Sequence, residues 1–223
     1  MAVISSETRL KAVAASRLDA EYFDPADVKL LRKLTRDGGV RLDTVCEVMN
    51  GVLPDGYVED GEVPIVRSGD LVAPFIYPDC GRAFLRAPRS DKLLYLRDGD
   101  VLISSIGLGS IGKISRVMDA GSFATVAEVT VVRPKTYPSA ILFAYLTTAT
   151  GQRQLLREVT GATGQQHLLK GKVATVLVPS LPDQPVIDAV EAACQRAWEL
   201  EKETMNELER IHELYAGAVG VHA

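Results

Sequence analysis

The sequence predicts an α+β protein: a mixed or antiparallel, β-rich domain over residues 1–180, then one long coiled-coil-forming helix over 181–223. Three observations predict it. Short β-branched runs alternate with Gly/Asp/Pro clusters through residues 40–135, the pattern of strands joined by tight turns. The stretch 138–178 carries apolar helical segments and one last strand-like run. Residues 186–216 contain neither glycine nor proline, so nothing there interrupts a helix.

The N-terminal helical segment, 1–36, has Asp24 as helix cap and Pro25 at the first helical position. Val28, Leu30, Leu31 and Leu34 then supply an apolar face before Gly38-Gly39 ends it. In the β-rich core, 40–135, strands are expected at VPIV (63–66), VLISSI (101–106), IGKISRV (111–117) and VAEVTVVR (126–133). Within 138–178, Pro138 opens a helix AILFAYLTTA, Gly151 separates it from QRQLLREV, and GATGQQHLLKGK leads into a final strand VATVLV. In the last segment Val186, Val190, Ala193, Ala197, Leu200, Thr204, Leu208, Ile211 and Tyr215 recur at steps of three and four, with one slip near Thr204. That is a heptad-like seam. Thirty helical residues span roughly 45 Å, too long to hide on a small domain, so a partner helix is expected. Trp198 falls one position off the seam, where it widens the contact stripe or anchors a different partner.

The run VLISSIGLGSIGKI contains Gly107-Leu108-Gly109-Ser110-Ile111-Gly112, a G-x-G-x-x-G spacing, and Glu128 follows 21 residues after Gly107. A dinucleotide site of that pattern needs a helix after the third glycine and a second parallel strand ending in the acid. Here KISRVM alternates as a strand, Asp119-Ala120-Gly121-Ser122 is a turn, and Glu128 lies inside a strand pattern. No crossover helix fits. The stretch therefore reads as strand, glycine turn, strand, turn, strand, an antiparallel meander without a nucleotide.

Ser104 and Ser105 lack a nucleophile-elbow context, His167, His212 and His222 lack ligand spacing, and no phosphate-binding Gly-Lys-Ser/Thr loop occurs. Cys46, Cys80 and Cys194 are odd in number and far apart, as reduced cytoplasmic thiols would be. Neither a signal peptide nor a membrane span is expected, and with 47% hydrophobic residues a sizeable core is. The net charge of −4 argues against nucleic acid, but its distribution does not. Residues 101–179 hold eight Lys/Arg against three acids, and 180–223 hold three against nine. One surface suits phosphate and another suits a protein.

The order of these pieces resembles the specificity (S) subunit of type I restriction-modification systems, and one half of it in particular. Arg17-Leu18-Asp19-Ala20-Glu21-Tyr22-Phe23-Asp24-Pro25 resembles the start of its target recognition domain, and Val63-Pro64-Ile65-Val66-Arg67-Ser68-Gly69-Asp70-Leu71 a strand and turn within it. Gly99-Asp100-Val101-Leu102-Ile103-Ser104 with Gly107 and Ile111-Gly112 resembles a third signature. Gly151-Gln152 with Gly161–Leu168, and Val178-Pro179 through Leu181-Pro182-Asp183-Gln184, resemble the run into the conserved helix. The approach to that helix is shortened, and the first 16 residues match nothing in the family.

The resemblance implies a target recognition domain at 1–180 and a conserved dimerisation helix at 181–223, one of each where full members carry two. It implies a non-catalytic DNA sequence-recognition subunit without a cofactor. Its partners would be double-stranded DNA, adenine-N6 methyltransferase subunits carrying S-adenosylmethionine, and a restriction/translocase subunit. A homodimer through the helix would read a palindromic bipartite target, whereas a different half subunit would give an asymmetric one. An adaptor that reads no DNA, and a target-reading module of another phage-defence or methylation complex, remain alternatives.

Residue chemistry supplies the candidates. Gln165 and Gln166 can pair bidentately with adenine, and Arg67 can read guanine unless Asp70 takes it. Lys113, Arg116, Lys170 and Lys172 are phosphate ligands, and His167 can serve either role. In a glycine turn such residues are also commonly just solvated. Val190, Ala197, Leu200, Leu208, Ile211 and Tyr215 are the expected dimer seam. Glu199, Glu203 and Glu207 face solvent or the methyltransferase.

Overall fold

A computed structural model describes residues 21–78, 80–107, 109–161 and 166–219. The α+β architecture is as expected, with mixed sheets and a long terminal helix. Eleven strands are described: β1 (Val40–Arg41), β2 (Cys46–Asn50), β3 (Val63–Val66), β4 (Phe75–Ile76), β5 (Leu85–Ala87), β6 (Leu94–Tyr95), β7 (Val101–Ser104), β8 (Ile114–Val117), β9 (Ala124–Thr125), β10 (Val129–Pro134) and β11 (Leu177–Val178). The helices are α1 (Pro25–Arg36), α2 (Leu42–Val45), α3 (Ser139–Thr147), α4 (Ala149–Arg157), α5 (Lys170–Val173) and α6 (Gln184–Val219).

The central sheet has the order β2-β10-β7-β8-β4, with β4 parallel to β8 and the other neighbours antiparallel. Its middle strands are buried on both faces. Val101, Ile103 and Val132 join the core beneath α3 and α4, while Leu102, Val129 and Val131 pack toward the second sheet, β5-β3-β9-β6. Continuous apolar runs such as VLIS and VTVV are what a doubly covered strand requires. Burial also places charge at Asp100, which lies at the start of β7. Its carboxylate takes Arg133 through Nε at 2.8 Å and Nη2 at 2.7 Å, and accepts the Arg97 amide at 2.9 Å.

Several local expectations are corrected. The three strands around the glycine turn are antiparallel but form no meander, because β10 pairs with β7 rather than with β8. Between β8 and β10 the chain leaves the sheet so that β9 can run parallel to β3 in the second one. Gly151 does not separate two helices. Thr148 does, capping α4 by accepting the Gly151 amide at 3.1 Å. Gly151 instead permits close packing, since a Cβ there would lie 2.3 Å from the Tyr145 carbonyl oxygen. VATVLV is strand only at β11, because Val173 and Ala174 close a helical turn onto Leu169 and Lys170. Helix α1 follows its sequence signals: Asp24 accepts the Ala26 amide at 2.7 Å, with Pro25 in the first turn.

Helix α6 uses two faces. Ile187, Val190, Cys194 and Trp198 lie against the domain, where Trp198 meets Tyr77 edge-on at 5.9 Å. Arg116 to Glu191 and Arg82 to Glu201 add ion pairs along the same face. Trp198 therefore anchors the protein's own domain. About 90° around the helix, the seam residues Leu200, Leu208, Ile211 and Tyr215 remain 43–69% exposed, and Ala197 is exposed beside them. Val190 is a correction to the seam, since it packs partly buried on the domain's own core.

Candidate nucleic-acid interface

Two glycine-containing loops meet at one end of the central sheet. The first joins β7 to β8. Ser104 and the loop exit close it, with Ser104 N–H donating to Lys113 O at 2.9 Å and Gly112 N–H donating to Ser104 O at 3.0 Å. Gly107 and Gly112 have φ of 105° and 83°, a region closed to most side chains. The G-x-G-x-x-G spacing is thus the chemistry of a tight turn. Gln152, at the start of α4, donates Nε2–H to Gly112 O at 3.0 Å and holds the turn from behind.

The second loop is closed by Thr160 and His167, which exchange amide-to-carbonyl bonds of 2.9 and 2.8 Å. His167 bridges Ile106, and the Leu168 amide donates to Ser105 O at 2.9 Å. Leu168 itself is buried in the core and pins the loop down. The Ser105 hydroxyl meets that of Thr130 at 2.6 Å underneath.

The structure brings several of the candidates together here. Lys113 is exposed at the exit of the first loop, Gln166 and His167 are exposed on the second, and Lys170 is exposed at the first turn of α5. Lys172 is partly exposed, with Nζ 3.5 Å from the Glu158 carboxylate. Gln165, the start of the first family-like motif at 17–20, and His222 lie outside the described residues. Arg67 sits on an adjoining turn, and its Nε is 3.3 Å from Asp70 Oδ2. Ser68 on that turn donates to the Glu128 carboxylate at 3.2 Å, and the Glu128 carbonyl accepts Ser105 N–H at 2.9 Å. Glu128 thus ties the Arg67 turn to the glycine turn.

Arg116 is a correction. Its side chain is 8% exposed, with Nε donating to Ser139 Oγ at 3.0 Å and Nη2 to Glu191 Oε1 at 2.7 Å. Strand alternation turns it under α6, where no phosphate can reach, and it fastens the long helix to β8. Of the anchoring stripe Ile187, Glu191, Cys194, Trp198, Glu201 and Met205, only Trp198 stands out in the sequence, although all six share a helical spacing.

Burial pushes the Cys46 thiol up to about 11 and raises that of Cys194. Burial also raises the Tyr77 phenol to about 12. Among the described residues no cluster of His, Cys, Asp or Glu is placed to hold a metal. No described helix is long and apolar enough to cross a membrane.

A loop-built polar end thus sits on a β-rich domain that also carries a long two-faced helix. The family model described as type I restriction modification DNA specificity domain matches residues 39–210, and the chain belongs to that family. No curated protein matches.

Among solved structures, the fold is similar to the S subunit of the type I restriction-modification system from M. genitalium. The TM-score is 0.57 at 12% identity, covering 80% of this chain and 44% of that one. A chain from a study of complex assembly and conformational transition of the type I R-M system matches with TM-score 0.54 and 20% identity, over 91% of this chain and 53% of that one. The HsdS subunit from Thermoanaerobacter tengcongensis gives 0.50 and 21%, over 91% and 49%. The chain spans about half the length of these relatives.

Proposed function

We propose that this chain reads one half of a bipartite target in double-stranded DNA and pairs through α6 with a second copy. Phosphate contacts from Lys113, Lys170 and Lys172 orient the domain, while Gln165, Gln166 and His167 address base edges. Arg67 is held by Asp70 and is not one of the reading residues. Two copies related by a two-fold axis read a palindromic target. The module performs no chemistry and holds no cofactor. It positions adenine-N6 methyltransferase subunits, which carry S-adenosylmethionine, and a restriction/translocase subunit, in the cytoplasm.

The observation that supports this reading is the second apolar stripe of α6. Leu200, Leu208, Ile211 and Tyr215 stay exposed although another face of the same helix packs against the domain at Ile187, Val190, Cys194 and Trp198. An exposed apolar seam of this length suits a partner helix. Light scattering of the full chain at micromolar concentration is expected to give a dimer, and Leu208→Glu with Ile211→Glu a monomer. A monomeric parent chain would overturn the pairing. Exchange of residues 161–172 for those of a relative is expected to change the sequence methylated by the assembled complex. Unchanged methylation specificity would overturn the assignment of the reading loops.

A further inference from the structure

Helix α1 carries a stripe of unneutralised positive charge. Lys29, Arg32, Lys33 and Arg36 stand at i, i+3, i+4 and i+7, which places them on one face within roughly 10 Å of helix axis. All four are exposed, while Val28, Leu30, Leu31 and Leu34 on the other face are partly buried. The acids around the helix are engaged elsewhere. Asp24 caps the first turn at Ala26, and Arg153 takes both Asp24 and the buried Asp27. Arg36 has only its neighbour Asp37, at 3.3 Å in open solvent. Lys29, Arg32 and Lys33 have no ion pair among the described residues.

Several other exposed cations are matched within the chain: Arg41 with Asp43, Arg89 with Glu62, Lys92 with Asp55, and Arg196 with Glu199 and Glu203. Lys113 and Lys170 at the reading loops are exposed without an ion pair among the described residues, as Lys29, Arg32 and Lys33 are. On a chain of net charge −4, four like charges on two helical turns oppose one another. The helix holds them in place from behind. Arg157 donates to Tyr22 O at 2.8 Å, Gly39 N–H to Leu34 O at 2.8 Å, and Ser180 Oγ to Asp37 O at 3.3 Å. A preorganised cationic face on which Lys29, Arg32 and Lys33 have no ion pair among the described residues is complementary to a polyanion.

We propose that the α1 stripe binds the phosphate backbone of double-stranded DNA, apart from the base-reading loops; the proposal rests on the function given above. Its position supports that occupant. Gln152 of α4 holds the glycine turn at Gly112, and the next residue, Arg153, holds α1. The stripe's helix is therefore tied through α4 to the reading end. A B-DNA strand carries a phosphate every ~3.4 Å along its axis, so the stripe spans roughly three phosphates. An acidic protein surface is the rival occupant. The acidic face of α6 suits it less, because Glu199, Glu203 and Glu207 already face Arg196 and Arg210 on their own helix.

The test is fluorescence anisotropy of the full chain on a short synthetic duplex of mixed sequence, titrated across salt. The parent is compared with Lys29→Gln/Arg32→Gln/Lys33→Gln, three surface changes that keep helix-forming residues. Loss of three phosphate contacts flattens the slope of log K against log salt by roughly 2–3 and weakens binding about a hundredfold near ~0.15 M salt. The charge-preserving exchange Lys29→Arg/Arg32→Lys/Lys33→Arg retains parental slope and affinity. Equal slopes for parent and Gln variant overturn the stripe while leaving the reading loops standing. Unchanged DNA binding with a weakened dimer assigns it to an acidic protein contact and overturns the proposal. A parent chain that binds no duplex at low salt overturns the stripe together with the DNA-reading function.

Discussion

Removing Glu191 is expected to destabilise the protein more than removing the buried arginine that it pairs with. Arg116 is 8% exposed and Glu191 49% exposed, and they meet at 2.7 Å where β8 passes under α6. Glu191→Ala strands a guanidinium in a closed site whose Nη1 already lacks a hydrogen-bond partner. Stranding a fully buried charge costs about 3–5 kcal/mol. Glu191 is half in water and its removal opens a path for solvent, so about 2 kcal/mol is expected. Arg116→Met keeps the apolar stem, lets Glu191 hydrate, and leaves Ser139 its bond to Gly99 O. That change costs about 1 kcal/mol. For a chain of this size each kcal/mol moves the melting temperature by about 2–4 °C, so losses of roughly 4–8 °C and 2–4 °C follow. The double variant should lie nearer to Arg116→Met than to Glu191→Ala, because once the arginine is gone no buried charge is stranded. Thermal melts followed by circular dichroism measure all three. A larger loss for Arg116→Met than for Glu191→Ala would refute the reasoning.

Asp100→Asn turns an amide N–H₂ toward Arg133 and the Arg97 amide in a fully buried site. It is expected to cost about 3 kcal/mol in urea unfolding, and a loss below ~1 kcal/mol would show that the pair is dispensable. Burial raises the Glu201 carboxyl above its ordinary 4.5, partly offset by Arg82. A raised acid binds its proton more tightly when folded, so its contribution is full below about pH 4.5 and is lost as pH climbs through the raised value. Glu201→Gln should therefore melt higher than the parent at pH 7, with the advantage shrinking toward pH 4. A variant that melts lower at pH 7 would contradict this.

Much of the fold was legible because it follows from local chemistry. The VPIV strand occupies the expected residues, the Asp24-Pro25 start and the Gly38 stop bound α1, and the uninterrupted tail forms α6. The failure of the dinucleotide pattern was equally local, since a strand follows Gly112 where a helix was required. The candidate interface was legible in part. The glycine turns marked where side chains would be displayed, but not that Leu168 and Ser105, distant in sequence, would draw two loops together. Arg116 misled because an arginine near a glycine turn looks the same whether its strand points it outward or under a helix. Its partner lies 75 residues away, beyond the reach of any periodic pattern.

The sequence by itself determined the strand-rich core, the first and last helices, the charge asymmetry and the family, because backbone preference, side-chain periodicity and motif order are properties of neighbouring residues. Only the tertiary structure decided that β10 joins β7, and that Trp198 docks on its own domain while Leu208 and Ile211 stay exposed. It also decided that Arg116 serves the helix, whereas Lys29, Arg32 and Lys33 remain open. Those outcomes depend on which surfaces compete for burial and on where each charge finds its counter-charge, which only the folded chain settles.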